Sequence, residues 1–154
     1  MSRSLRLSLS ESVGLRYVAN DVAIERFPDG AGLPPANGYS HIVAGDGQLI
    51  VISGQLPLDA DGRLVGGPDP LLQAEQVFAN LRRALEIASA TPADVVRLGF
   101  FLLDLGDLAQ VRVARDRFLG AGPQPASSLA QVSGLVVTGA RIEVDALAVV
   151  ARGR

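Results

Sequence analysis

The chain has no cysteine, one histidine, and no stretch of charge of a single sign. Without cysteine there is no disulfide, no thiolate nucleophile and no cysteine-bound metal. With His41 as the only histidine, a multi-histidine metal centre is excluded, and a Ser-His-Asp triad has no spare parts. The formal net charge is −2. The basic residues are scattered rather than gathered into a stripe interleaved with aromatics, so no footprint for nucleic acid is present. No window reaches the roughly 18–20 uninterrupted apolar residues of a membrane helix. The first residues, Met1-Ser2-Arg3-Ser4-Leu5-Arg6-Leu7, carry charge but no apolar run behind it, so they do not read as a signal peptide, and a cytoplasmic location is expected.

What is present suits a globular domain. Of 154 residues 48% are apolar, enough for a real core in a single domain. Residues 1–36 alternate poorly and end in Pro34-Pro35. We assign 1–33 to an N-terminal extension with one edge strand around Leu15–Val18, and 34–154 to the domain. Asn37-Gly38 marks a turn. His41–Ala44 and Gln48–Ser53 are short β-branched runs joined by Gly45-Asp46-Gly47, the signature of a hairpin. Leu56–Val65 is a loop with its own turn at Asp59–Gly62. Asp69-Pro70 opens a helix, with Asp69 as N-cap and Pro70 at the first helical position. Its apolar stripe is Ala74, Val77, Phe78, Leu81, Leu85 and Ala88, with Arg82, Arg83 and Glu86 outside it.

Thr91 or Asp94 caps a short turn, and Val95–Leu105 reads as a central strand. Leu108–Leu119 is a second helix with Val111, Val113, Ala114 and Phe118 as apolar positions, stopped by Pro123 and Pro125. Ser127–Val132 and Arg141–Ala151 complete the strands, with Gly134–Gly139 a loop between them. The order β-β-α-β-α-β-β fits an α+β fold, a mixed sheet with two helices on one face. The other sheet face stays uncovered and apolar, which predicts an oligomer.

Four segments are candidates for chemistry: Gly38-Tyr39-Ser40-His41, Ser53-Gly54-Gln55, Pro125-Ala126-Ser127-Ser128 and Arg141–Ala146. Taken singly they have plain structural readings. Tyr39 packs, His41 hydrogen-bonds, Ser53-Gly54 ends a strand, and alternation puts Arg141, Glu143 and Asp145 on a washed sheet face. Their order and spacing, however, resemble the Rid family of reactive-intermediate (enamine/imine) deaminases, also called YjgF-like or L-PSP-like proteins. Gly38-Tyr39-Ser40 resembles the family's Gly-Pro-Tyr-Ser segment, and Ile52–Pro57 its Ser-Gly-Gln-x-Pro signature. Gln73 and Asn80-Leu81 match helix residues of the family, and Asp94-Val95-Val96 the start of its central strand. Pro125–Ser128 falls on Pro-Ala-Arg-Ser, and Ile142–Ala146 on Ile-Glu-Ile-Glu-Ala. The likeness runs from about Pro34 to Ala151.

The resemblance implies a chorismate-mutase-like fold and a homotrimer with ligand clefts between neighbouring subunits. It also implies cofactor-free hydrolysis of small imines to carbonyl compounds and ammonia, an activity of the 2-iminobutanoate/2-iminopropanoate deaminase type. Carried over residue by residue, Glu143 orients the attacking water, and Tyr39 hydrogen-bonds the ligand or closes the pocket. Ser53 and the Gly54 backbone form a wall, and Ser127 and Ser128 face the ligand. The family's active deaminases carry an arginine where this chain has Ser127. Serine cannot reproduce its forked ion pair with a carboxylate, a loss of about 10- to 100-fold in anchoring. Arg112, where many relatives have asparagine, is a candidate replacement cation. Two further readings stay open: a pathway-specific enzyme of another hydrolytic type on the same scaffold, and a non-catalytic ligand-binding trimer. A nuclease is disfavoured by the acidic charge balance.

Overall fold

The computed structural model describes residues 15–19, 22–28, 32–122 and 124–152. Residues 1–7 and Pro123, read above from sequence, lie outside them. The elements in chain order are β1 (Leu15–Ala19), β2 (Val22–Phe27), β3 (Ile42–Gly45), β4 (Gln48–Gln55), α1 (Pro70–Ile87), β5 (Val95–Leu102), α2 (Leu108–Leu119), β6 (Ala126–Gln131) and β7 (Ile142–Val150). The main sheet has the order β4-β7-β5-β6. Its β4–β7 and β7–β5 ladders are antiparallel and its β5–β6 ladder is parallel. Both helices cover one face, so the α+β class with a mixed sheet stands.

The first helix forms as its sequence dictates. The Asp69 carboxylate accepts from the backbone N–H groups of Leu71 and Leu72 at 2.9 and 3.1 Å. Proline follows where no donor is needed. Ala74, Val77, Phe78, Leu81 and Leu85 are buried, and Arg82, Arg83 and Glu86 face solvent. Burying a side chain such as Leu81 contributes about 1.5–3 kcal/mol. Its partners are the β7 residues Ile142, Val144 and Ala146 and the β5 residues Leu98, Phe100 and Leu102. The next turn is closed by the Asp94 carboxylate, which accepts from both the N–H and the hydroxyl of Thr91, each at 2.8 Å.

Several expectations change. Val113 is exposed, because the buried residues Val111, Ala114 and Phe118 follow the three-four spacing and Val113 falls off it. Gly120, at φ 67°, terminates α2 before any proline is reached. The central strand stops at Leu102; Leu105–Asp107 forms a 3-10 turn leading into α2.

The hairpin expected from Gly45-Asp46-Gly47 is no paired ladder. β3 pairs with β2, and β4 with β7. At the crossover a side chain on Gly47 would run into the carbonyl of Val150 and the side chain of Val149, so that turn passes tightly over the end of β7. The strand expected around Leu15–Val18 is β1, but the extension also carries β2, giving a second sheet β1-β2-β3. Arg26 hid β2 from a hydrophobicity reading. It occupies a buried register next to buried Ile24, and its guanidinium donates to the carbonyls of Ala93 and Val95.

Candidate functional site

The two faces of the sheet present two different environments. On the helix-covered side a cavity of about 260 Å³ opens between α2 and the edge strand β6. In the parallel β5–β6 register Ser127 lies beside Leu98 and Leu129 beside Phe100, so both point toward the helices. The opposite wall comes from one stripe of α2: Leu108, Val111, Arg112 and Arg115. Those spacings of three and four put two arginines on an otherwise apolar helix face. Asn37, Gly38 and Tyr39 form the rim, and Phe100 the floor.

Tyr39, Arg112 and Ser127 therefore line one cavity. Ser127 is half-buried. Arg112 forms no hydrogen bond or ion pair among the described residues, which leaves its guanidinium available to an anion. Arg115 is committed: its Nη1 donates to the carbonyl of Gly38 at 3.1 Å, its Nε donates to Oδ1 of Asp116 at 2.9 Å, and its Nη2 lies 2.7 Å from that same oxygen. The sequence reading missed Arg115; the repeat of arginine at positions one helical turn apart on an apolar stripe was its signal. His41 does not line the cavity. Its ring stands edge-on to Tyr39 at 5.1 Å, and its Nε2 lies 2.6 Å from the carbonyl of Pro34.

The other candidates lie on the opposite sheet face, which Ile24 of β2 covers at Val149, contrary to the expectation of a wholly uncovered face, and which is otherwise bare. Glu143 and Asp145 alternate with the core residues Ile142 and Val144, and pair in register with Phe101 and Gly99. Each carboxylate lies over a glycine. A Cβ on Gly54 would overlap the Glu143 carboxylate, and a Cβ on Gly99 would stand 2.5 Å from an Asp145 oxygen. Gly54 sits in the irregular stretch of the β4–β7 ladder between Ile52 and Gln55, so the main chain there bends out of regular pairing. The space left by its missing side chain is filled by Glu143. Ser53 is exposed in the same irregularity, and Ser128, beside Gly99, faces the bare side and is exposed.

Asp145 is held by Arg97 at 3.0 Å. Glu143 has no hydrogen bond or ion pair among the described residues. Arg141 does not share the face of Glu143 and Asp145. It precedes the strand, and its guanidinium grips Asp107 through two bonds of 2.7 and 3.0 Å, fastening the start of β7 to the start of α2. Those bonds raise the Arg141 pKa above the usual arginine value, against the lowering effect of burial. A single copy thus brings Tyr39, Arg112 and Ser127 together, and separately Ser53, Gly54 and Glu143. The sheet stands between the two groups.

Among the described residues no helix is long and apolar enough to cross a membrane, and no cluster of three or more His, Cys, Asp or Glu side chains is placed to hold a metal ion. The family model described as Endoribonuclease L-PSP matches residues 30–150. The Myxococcus xanthus protein DfrA is 42% identical over 113 residues, covering 72% of this chain and 84% of the relative. The 2-iminobutanoate/2-iminopropanoate deaminase of Salmonella typhimurium is 31% identical over 105 residues, covering 67% of this chain and 80% of that protein. Among solved structures, the Rid-family protein YyfB of Yersinia pestis superposes with a TM-score of 0.70 at 38% identity, covering 73% of this chain and 87% of that one. RidA of a Psychrobacter species superposes at 0.62 and 32% identity, covering 76% and 92%.

Proposed function

The chain belongs to the Rid family, the YjgF- or L-PSP-like proteins, and from that premise we propose that it is a hydrolase of small imines, converting C=N to C=O with release of ammonia. The observation that carries this reading is Arg112. Its unpartnered guanidinium lines the same cavity as Ser127. It therefore supplies a cation beside the position where the family's anchoring arginine is replaced by serine. A substrate carboxylate held by Arg112 would place the imine carbon toward the cavity mouth and Tyr39.

Water adds to the imine carbon, and the resulting carbinolamine collapses to the carbonyl compound and ammonia. The reaction needs a group that takes a proton from the water and delivers one to the departing nitrogen. Glu143 is the carboxylate suited to it: unpaired, half-exposed and steadied over Gly54. Because Glu143 and the cavity lie on opposite sides of the sheet, we propose that the working unit is the homotrimer. There the bare face of one copy, with Ser53, Gly54 and Glu143, closes the α2–β6 cavity of its neighbour. The exposed Leu49 and Val51 on that bare face suit burial between copies.

Ammonia release from freshly generated 2-iminobutanoate tests the reading. Acceleration by the protein, lost in Glu143→Gln and weakened in Arg112→Ala, is the expected outcome. Mixing the two variants from unfolded chains should restore part of the rate, since some clefts then receive Glu143 and Arg112 from different intact copies. No acceleration by the unaltered protein would leave a non-catalytic ligand-binding trimer as the better reading. Its signature would be binding of 2-oxobutanoate that Arg112→Ala weakens.

A further inference from the structure

The rim of the cavity is a strap, residues 34–41, which joins β2 through the His41 N–H and the Phe27 carbonyl at 3.0 Å and is tied at three further points. The Ser40 hydroxyl donates to the carbonyl of Gln124 at 2.7 Å, and its N–H to that of Pro125 at 3.0 Å. His41 closes the strap on itself through the Pro34 carbonyl. The third tie is Arg115. Gly38 and Ser40 flank Tyr39 in the chain; Ser40 fixes it to the entry of β6, and Gly38, through Arg115, to α2. Those are the two walls of the cavity.

Arg115 is built for holding rather than for binding ligand. Its side chain is 14% exposed, and one oxygen of Asp116, Oδ1, sits against its Nε–Nη2 edge, leaving Nη1 for the Gly38 carbonyl. The guanidinium also lies flat against Gly38: a Cβ there would stand 3.0 and 3.2 Å from its two terminal nitrogens. Gly38 adopts φ 77°, a conformation that suits glycine. The strap therefore turns beneath the cation, and a side chain at Gly38 would press on the guanidinium as well as strain the backbone. Arg112, one turn earlier on the same stripe, has none of these ties. The two arginines of the cavity divide the work, one free for an anion and one spent on the strap.

We propose that Arg115 is a positioning residue that sets Tyr39 at the mouth of the cavity, acting through the Gly38 carbonyl and itself steadied by Asp116. The consequence for turnover rests on the imine-hydrolase reading above; the placement of Tyr39 does not. The chain holds two tyrosines and no tryptophan. In a Tyr17→Phe background, tyrosine fluorescence therefore reports Tyr39 alone.

In that background Arg115→Ala should raise quenching of Tyr39 by acrylamide toward the free amino acid's value. Asp116→Asn, a change at an exposed residue that leaves folding safe, should raise it part of the way. Arg115→Lys should recover less than half, because a single ammonium can reach the carbonyl but cannot hold Asp116 with separate nitrogens at the same time. Arg117→Ala, also on α2 but paired with Glu75 at the surface, should leave Tyr39 unmoved. In the imine assay Arg115→Ala should raise KM about tenfold, the loss of one charge-assisted hydrogen bond, while kcat changes little. Unchanged quenching in folded Arg115→Ala and Asp116→Asn would overturn the proposal. Full recovery of quenching in Arg115→Lys would do the same, because a point charge would then suffice. If the unaltered protein released no ammonia but quenching responded as described, the functional reading would fail and the strap would stand.

Discussion

Glu143 and Asp145 stand two residues apart on the bare face of β7, and each lies over a glycine of the neighbouring strand, yet only Asp145 is paired. Asp145 lies in mid-sheet over Gly99 of β5, with Arg97 close enough to bond it. Glu143 lies over Gly54, at the irregular edge where β4 leaves regular pairing. The same residue chemistry in the same alternation thus gives one carboxylate built into the sheet and one left available. Neutralising the two should separate them widely. Glu143→Gln should slow ammonia release about 10²- to 10⁴-fold, the usual worth of a positioned acid–base group, with the thermal midpoint unchanged. Asp145→Asn should leave the rate within a few-fold. Equal losses of rate in the two variants would show that the face acts as one charged surface and erase the distinction.

The glycines offer a second way to sharpen it. In Gly99→Ala the new methyl meets a short carboxylate that Arg97 holds in place, inside a buried stretch of β5. Overpacking of that kind costs about 1–3 kcal/mol, read as a lower urea midpoint at constant slope. In Gly54→Ala the methyl overlaps the carboxylate and Cγ of Glu143, a longer side chain with no partner among the described residues that must swing aside. That variant should unfold near the normal urea concentration yet lose most of its activity, because Glu143 is no longer held over the strand. A large stability loss in Gly54→Ala would mean that Glu143 is as fixed as Asp145.

How much of this was legible beforehand follows from what each residue type can signal. The cap at Asp69-Pro70, the stripe through Leu81 and the bounds of α2 were readable, because capping and three-four periodicity are local. Tyr39, Arg112 and Ser127 were readable only as members of ordered motifs; that they line one cavity is seen in the structure. Strand partners were not: Gly45-Asp46-Gly47 has a hairpin's composition, but β3 pairs with β2 across a longer loop. Arg26 disguised that strand by being a buried cation. Arg141 was assigned to the sheet face by alternation, although its reach to Asp107 depends on the 3-10 turn that carries Asp107. Glu143 could be named but not situated, since only register shows that the sheet separates it from Ser127 within one copy.

The smallest expected effect completes the contrast. The Arg97 and Asp145 side chains are 40% and 32% exposed, so water screens their attraction. A pair of that kind contributes about 0.2–1 kcal/mol. Asp145→Asn should therefore lower stability by no more than that, and Arg97→Ala similarly, with a coupling in the double variant that shrinks as salt is added. If these faces meet in a trimer, the same pair is drier, and its coupling should grow with protein concentration across the assembly transition. A coupling above about 2 kcal/mol that salt does not weaken belongs to a buried pair rather than a surface one. Asp145 would then be part of the contact between copies, and Glu143, two residues along the same strand, would sit at the edge of that contact where a neighbour's cavity can reach it.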